Sequence, residues 1–437
     1  MQNLGASSVA VPTPNLVVCL NSETFIVPSP CRSSSRRYTQ LGLGKNKKAT
    51  AMLIVHVSDI HFRHPECAGG ADPDKPFRTL LSNDLRAMVA RLGVPIDAIL
   101  VTGDIAFRGA KQEFDAAEAW LTSLANEFGQ PRSSIFVVPG NHDVDRNLCR
   151  TLMDVRNVQR SLRSAANPHD MERELRAQLG DAATSRSILK PIEAYNDFAA
   201  KFDCNLFAPE KTHWNHDIRL EHGVTLRLHG WNSTLLSGFQ GNDDARGDMY
   251  LSGLQTVLDP IEGVVNAVLA HHPPDWCKDN DDIEDAISTR AHLHFFGHKH
   301  RQRIVQEERY VRYSAGAVNP DRHEAAWEPG YNLIRLSVAV EGMARRLRIE
   351  SHVRTLRAGD MQFDYRRPQA GGDDWHYKEL RITGNYHGEQ AAMPPKPNEL
   401  VPVTGGAPMT DSVLPESARD RALVFRFWSL SMSARRD

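Results

Sequence analysis

Five short clusters of metal-ligand side chains punctuate this sequence, and each follows an apolar run. They are Asp59-Ile60-His61, Gly103-Asp104, Gly140-Asn141-His142-Asp143, His271-His272-Pro273-Pro274 and Gly297-His298-Lys299-His300. A DxH or a GD alone occurs by chance in many proteins, whereas all five in this order form a specific signal. Residues so far apart in the chain can act together only if the ends of several buried strands meet. Sheets with helices packed outside them do this, because active residues then sit in loops at the strand ends.

The pattern around the clusters agrees. Leu53 to Val57, Ala98 to Thr102 and Ser134 to Val138 read as buried strands. Between them Phe77, Leu81, Leu85, Met88 and Leu92 fall at helical spacing with Gly93 as a stop, and Phe114, Ala117, Leu121, Leu124 and Phe128 do the same before Gly129. From Asp143 to about Leu220 the strand signal gives way to Arg- and Glu-rich helical sequence with a break expected at Gly180. Strands resume at Thr225 to His229, Asn266 to Ala270, His292 to Phe296 and Tyr310 to Ser314, followed by alternating stretches at Tyr331 to Val338 and Leu347 to Val353.

Both ends differ from this body. Residues 1–51 carry six Lys or Arg against Glu23 alone, a net of +5, and read as a disordered extension ahead of a natural start at Met52. Beyond residue 355 the order weakens, and Pro394, Pro395, Pro397, Pro402 and Pro408 mark a linker over 355–414. Residues 415–437 then form an apolar helix candidate, in which Leu423, Val424, Phe425, Phe427, Trp428, Leu430 and Met432 leave little polar face. Such a helix must bury itself, on its own domain or on a protein partner.

Whole-chain composition narrows the function classes. With 52 Lys+Arg against 54 Asp+Glu the net charge is −2, and removing the basic N-terminal piece leaves −7 on the remainder. This speaks against a nucleic-acid-coating protein, while a local basic groove stays open. No apolar run approaches the roughly 18 residues of a membrane span. The six cysteines, at 19, 31, 67, 149, 204 and 277, contain no CxxC pair, so neither a zinc ribbon nor a disulfide scaffold is expected, and a reducing cytoplasm is the default.

The clusters themselves suit a two-metal site. Strand alternation would turn Asp59 and His61 to one side. Asp104 follows a glycine that permits a tight turn, and its two carboxylate oxygens could bridge two cations. Asn141 offers a carbonyl oxygen, and His271, His298 and His300 offer imidazole nitrogens. Such N/O ligation without thiolate suits Mn, Fe, Zn, Co or Ni. Two ions about 3.5–4 Å apart clamp an in-line displacement at phosphorus and acidify a bridging water.

Over residues 52–354 these motifs resemble the calcineurin-like metallophosphoesterases, most closely the cyclic-nucleotide phosphodiesterase branch. The resemblance implies an α/β fold, a four-layer αββα sandwich around a dinuclear centre. It implies Asp59, His61 and His300 as ligands of one metal, Asn141, His271 and His298 of the other, and Asp104 between them. By the same resemblance His142 is the non-ligand histidine that stabilises the transition state or protonates the leaving group, and Asp143 orients it through a hydrogen bond. His271 is preferred to His272 because it holds the ligand position where this motif reads His-Ser-Pro. Trp231-Asn232-Ser233, the segment Gly247 to Leu258 with Gln255, and Tyr313-Ser314-Ala315-Gly316 fit the same branch. The departure is the long helical insertion, 146–220, expected over the mouth of the site.

Arg108 and Arg146 follow the second and third clusters and are candidates to grip a phosphate oxygen. His56 and His64 read as a strand histidine and a loop residue, and the acidic run Asp279 to Asp285 as a solvated loop. The expected function is therefore a phosphoester hydrolase with two metal ions, Mn, Fe or Zn, whose bridging hydroxide attacks phosphorus. The expected substrate is a small nucleotide-type phosphodiester. A nuclease, a phosphomonoesterase, and an effector or interaction protein of a larger assembly are the alternatives.

Overall fold

Strands and helices fall where the periodicities place them, with additions at both edges of the sheets. The computed structural model describes residues 51–69, 72–319, 329–357, 359, 361–368 and 372–386. In chain order they form β1 (Met52–Val57), α1 (Lys75–Leu92), β2 (Ala98–Val101), α2 (Lys111–Glu127) and β3 (Ile135–Val137). Five helices follow: α3 (Arg146–Thr151), α4 (Met153–Arg163), α5 (Pro168–Gly180), α6 (Thr184–Leu189) and α7 (Glu193–Ala199). Then come β4 (Trp214–Arg219), β5 (Thr225–Gly230), β6 (Val264–Ala270), α8 (Asn280–Arg290), β7 (Leu293–Phe296), β8 (Arg303–Gln306) and β9 (Val311–Ser314). The last four strands are β10 (Gly330–Glu341), β11 (Ala344–Arg357), β12 (Gln362–Tyr365) and β13 (His376–Ile382).

Two sheets result. One has the order β12-β11-β10-β1-β2-β3, with β13 also on β11, and the other has the order β4-β5-β6-β7-β9-β8. The pairs β1–β2–β3 and β5–β6–β7–β9 are parallel, so the chain leaves each of these strands at the same end of its sheet. The sheets face one another: Tyr313 of β9 meets Ser351 of β11 at 2.7 Å, and the His56 and Phe295 rings lie 5.1 Å apart. Strands β1, β2, β3 and β6 are buried throughout, as expected of strands covered on both faces. Helices close the outer faces. Asp84 of α1 reaches Arg354 and Tyr331 on the first sheet, and α8 lies on the second, where His294 sits 3.0 Å from the Ile287 carbonyl. This is the expected four-layer α/β architecture. Among the described residues no helix is long and apolar enough to cross a membrane.

Helix ends follow the sequence signals. Gly93 stops α1 in the left-handed region at φ 65°, its amide reaching the Val89 carbonyl, and α5 ends at Gly180. Leu81, Leu85 and Met88 of α1, with Phe114, Ala117, Leu121 and Leu124 of α2, are the buried faces the spacing defines.

Two expectations change. The linker expected from 355 begins later, because β11 runs to Arg357 and both β12 and β13 pair with it. In β13, His376-Tyr377-Lys378-Glu379-Leu380-Arg381-Ile382, only Leu380 and Ile382 are buried, so a polar outer face hid the alternation. Likewise β4 lies inside the span read as helical, because as an edge strand it buries Trp214 alone. The insertion helices pack on β3 and on the segment after β5. Tyr195 of α7 donates to the Val137 carbonyl, and Gln159 and Arg163 of α4 hold the carbonyls of Ser237 and Leu236. The remaining expectations for 1–50 and 387–437, including the apolar helix, lie outside the described residues.

Asp84 accepts from Tyr331 Oη at 2.7 Å and from Arg354 Nε and Nη2 at 2.8 and 2.6 Å, joining α1 to β10 and β11. Truncating one partner of a buried pair strands the other charge, at a cost of about 3–5 kcal/mol. Asp84→Ala is therefore expected to lose that much unfolding free energy in urea; a loss below about 1 kcal/mol would mean the pair does not tie helix to sheet.

Candidate metal centre

All five clusters meet at one end of the paired sheets, directly after β1, β2, β3, β6 and β7. Asp59 and His61 reach this place by a route other than strand alternation. Both have left-handed backbone, φ 54° and 51°, and so do Asp104 at 50°, His298 at 70° and His300 at 50°. L-residues rarely adopt this region, and five together mark a segment whose surroundings dictate its geometry. The turns are held from neighbouring strands: Asp59 N donates to the Gly103 carbonyl, and Ile60 N and His61 N both donate to that of Asp104. Two glycines permit the close approach. A Cβ on Gly140 would lie 2.2 Å from Asp104 Oδ1, and one on Gly297 would lie 2.1 Å from Ser58 Oγ.

The donor atoms form two groups. Asp59, His61, Asp104 and His300 offer atoms within 4.8 Å of one another, and so do His271, His272 and His298. Asn141 Oδ1 lies 3.0 Å from both His271 Nε2 and His298 Nδ1, which adds it to the second group. Asp104 Oδ2 touches both, at 3.4 Å from His61 Nε2 and 3.2 Å from His271 Nε2. The grouping is the one the family resemblance implies, with His272 added.

The donors fit a cation. Nδ1 of His271 faces the Thr102 carbonyl at 2.8 Å, and Nδ1 of His61 faces that of Asn319 at 3.3 Å. A carbonyl can only accept, so each neutral ring carries its proton on Nδ1 and turns a lone pair inward at Nε2, the arrangement typical of metal-ligating histidine. His271 Nε2 and His298 Nδ1 then stand 3.2 Å apart, and Asp59 Oδ1 is buried without a hydrogen bond, 3.1 Å from His300 Nε2. Atoms this close are satisfied by a shared proton or by a cation, and histidine nitrogens turned inward suit the cation.

The electrostatics agree. Burial favours a neutral Asp104, yet His271 and His142 beside it hold its carboxyl well below the usual range. Burial likewise works against a proton on His271, but Asp104 and Asp59 outweigh it and raise the imidazole to about 9. A cation would compete with that proton for the same lone pair. Burial, then the neighbouring His272 and His271, push His298 well below its ordinary value.

His142 stands beside the first group, its ring centroid 4.9 Å from that of His61. Its orientation comes from an unexpected source. Nδ1 faces the Phe107 carbonyl at 2.9 Å, and the Phe107 ring stacks on the imidazole with centroids 5.2 Å apart. Asp143 does not bond to His142, contrary to the expectation. Its Oδ1 accepts from Ile105 N and Ala106 N at 2.9 and 2.7 Å, and its Oδ2 from Gly140 N at 2.8 Å. Asp143 thus joins the loop after β2 to the loop after β3 and fixes the backbone that presents His142. The side chain of an Asp one residue on is already spent on backbone amides, which a linear motif does not reveal.

Glu113, absent from the sequence reading, does similar work. This buried side chain takes the amides of His64, Phe107, Arg108 and Ala110 at 2.9–3.2 Å, holding the segment whose carbonyl orients His142. Its signal was a glutamate at the third position of α2, where such residues reach back to the helix start. Arg146 pairs with the exposed Asp243 and lies near enough to His142 to oppose a positive charge on its ring. Arg108 is exposed, 5.7 Å from the centroid of the Phe107 ring that stacks on His142. His56 is a buried strand histidine, as read, 3.0 Å from Thr102 Oγ1. Gln255 bonds the backbone of Asn232 in both directions, joining two segments singled out in the sequence.

Comparison with known proteins bears on this arrangement. The metallophosphoesterase-like protein YydB of Bacillus subtilis (strain 168), itself uncharacterized, is 23% identical over 290 residues, which cover 62% of this chain and 54% of that protein. The chain therefore spans about half the length of this curated relative. Among solved structures, a conserved uncharacterized protein of Streptococcus pneumoniae TIGR4 is 11% identical with a TM-score of 0.28, covering 76% of this chain and 98% of its own. Vacuolar Protein Sorting 29 of Cryptosporidium parvum is 12% identical with a TM-score of 0.30, covering 76% and 99%. The profile of the calcineurin-like phosphoesterases matches residues 52–302, more than half of the 437, and the chain belongs to that family.

Proposed function

We propose that this chain is a metal-dependent phosphoester hydrolase acting on a nucleotide-type phosphodiester. The observation that carries the reading is Asp104 Oδ2, which lies within 3.4 Å of nitrogens from both donor groups, so that this carboxylate could serve an ion in each. Asp59, His61 and His300 would hold one ion and Asn141, His271 and His298 the other. Mn, Fe or Zn there would neutralise charge on the phosphoryl oxygens and acidify a water.

The protein's own part in the reaction falls to His142. With Nδ1 committed to the Phe107 carbonyl, Nε2 is the atom that can pass a proton to the departing oxygen. Water oxygen bonds to phosphorus and loses a proton to solvent, the ester P–O bond breaks, and the leaving oxygen takes the proton from Nε2, giving an alcohol and a phosphomonoester, after which solvent reprotonates the histidine. Burial lowers His142, with the Asp104 carboxylate opposing it. Only the imidazolium can donate from Nε2, so its share of the rate falls as pH rises through this lowered value.

Two outcomes are expected with bis-p-nitrophenyl phosphate and Mn2+. Asp104→Asn and His142→Ala should each reduce kcat by about 10²–10⁴, the range for losing a positioned acid–base group or a metal bridge. Full activity in either variant would sink the assignment. The loss of kcat at high pH expected of the wild type should vanish in His142→Ala; a persisting limb would assign the proton to another group.

Glu113→Ala should act through position alone. It is expected to cost about 2–4 kcal/mol of stability, since four amides lose a charged acceptor, and to lower kcat with little change in KM. An unaltered melting temperature would argue against it.

A further inference from the structure

We propose that the cavity beside His298 and His300 is a substrate subsite for a nucleotide that bears at least one phosphate besides the one hydrolysed, an inference that rests on the phosphoesterase reading above. The cavity holds about 660 Å3 and is walled by Arg246, Asp275, Trp276, Lys299, Arg301 and Arg303 together with the two histidines. That volume lies within the range of small-molecule sites, about 300–1,000 Å3.

The charge on its walls is unbalanced. Four cations face one carboxylate, and Asp275 is already shared between Lys299 Nζ, at 2.8 Å from both oxygens, and Arg246 Nη2 at 2.6 Å. Among the described residues Arg301 and Arg303 have no carboxylate partner. Their placement is built into the fold. Gln302 between them is buried, its Nε2 donating to the Tyr331 carbonyl at 2.9 Å and its Oε1 accepting from Thr355 Oγ1 at 2.6 Å. With Gln302 turned inward, both arginines are exposed where β8, the edge strand of its sheet, begins. A cyclic nucleotide or a simple monoester has a single phosphate, which the metal centre would take, leaving two guanidiniums beside it without a counter-charge. A second phosphate supplies one, and guanidinium grips it bidentately.

The aromatic wall points to a nucleotide rather than another polyphosphate. Trp276 is half-buried, with its ring centroid 3.9 Å from that of His298 at an interplanar angle of 79°. Its carbonyl takes the amides of Gly247 and Met249 at 3.1 and 3.0 Å, which fixes its backbone. A base stacked on such a ring gains about 1–3 kcal/mol. The second phosphate could come from a phosphodiester-linked strand or from a polyphosphate chain, and both present the same chemistry to the arginines.

The test measures binding and turnover on the full chain. In EDTA, the Kd of fluorescein-labelled pApA should weaken about tenfold in Arg301→Gln/Arg303→Gln, the loss of about 1.4 kcal/mol, and also weaken in Trp276→Ala. Equal Kd in wild type and the double variant would overturn the proposal whether or not the chain is a hydrolase. With Mn2+, wild-type kcat/KM should be higher on pApA or on diadenosine triphosphate than on 3′,5′-cyclic AMP. The arginine variant should raise KM for the preferred substrate about tenfold more than KM for bis-p-nitrophenyl phosphate. Preference for pApA names a strand as the source and preference for diadenosine triphosphate names a polyphosphate; preference for cyclic AMP overturns the proposal. Wild type inert on all four, while still binding pApA through the arginines, would refute the hydrolase reading and leave the subsite standing.

Discussion

Everything at the centre depends on holding many metal-ligand side-chain atoms within a few ångströms of one another. Asn141 Oδ1, His271 Nε2 and His298 Nδ1 are separated by 3.0–3.2 Å, and Asp104 Oδ2 lies 3.2 Å from His271 Nε2. Crowding so many buried polar atoms is costly unless each finds a proton or a cation to share. Five of the side chains also stand on left-handed backbone, at roughly 1–3 kcal/mol each. What offsets this is the rigidity beneath. β1, β2, β3 and β6 are buried throughout and exit in parallel at one end, so the loops leave from fixed points. Asp143 and Glu113 then pin three of those loops through seven backbone amides.

This division explains what could be read in the sequence. Strands ending in Asp59, Asp104, Asn141, His271 and His298 are apolar and fully buried, so they stand out against any background, and the side chains after them carry their chemistry in their identity. Less legible were elements with one wet face. β13 buries two residues of seven and β4 one of six, and neither alternation survives among charged neighbours. Their places come from pairing with β11 and β5, a long-range fact that local pattern does not hold. Side-chain allegiance was equally hidden. Asp143 sits beside His142 in sequence, yet its carboxylate turns to Ile105, Ala106 and Gly140, and the carbonyl of Phe107 orients the histidine. Sequence adjacency says little about hydrogen bonding where the backbone turns at every residue.

The two carboxylates on either side of His142 show how one site runs opposite electrostatics at close quarters. Both are buried, and burial alone would neutralise both. Asp104 faces His271 and His142, whose positive potential holds it ionised. Asp143 faces Asp104 instead, and burial with that neighbouring charge raises it well above the usual range, against the pull of its amide donors. Asp104 is the carboxylate that reaches both donor groups, while Asp143 ties backbone to backbone.

The same reasoning links the centre to the cleft beside it. Cations bound among Asp59, Asp104 and the histidines would turn an acidic pocket into a positive one, continuous with Lys299, Arg301 and Arg303. The chain as a whole is nearly neutral, with 52 basic against 54 acidic residues, so its average charge carries no hint of such a patch. Anion recognition is decided by local arrangement, and here it is concentrated within five residues of β8 and the loop before it, beside an indole that supplies the apolar surface a nucleobase requires. Net charge argues against long-range attraction of a polymer. It leaves open a short polyanion gripped at close quarters, which is the kind of substrate this cleft suits.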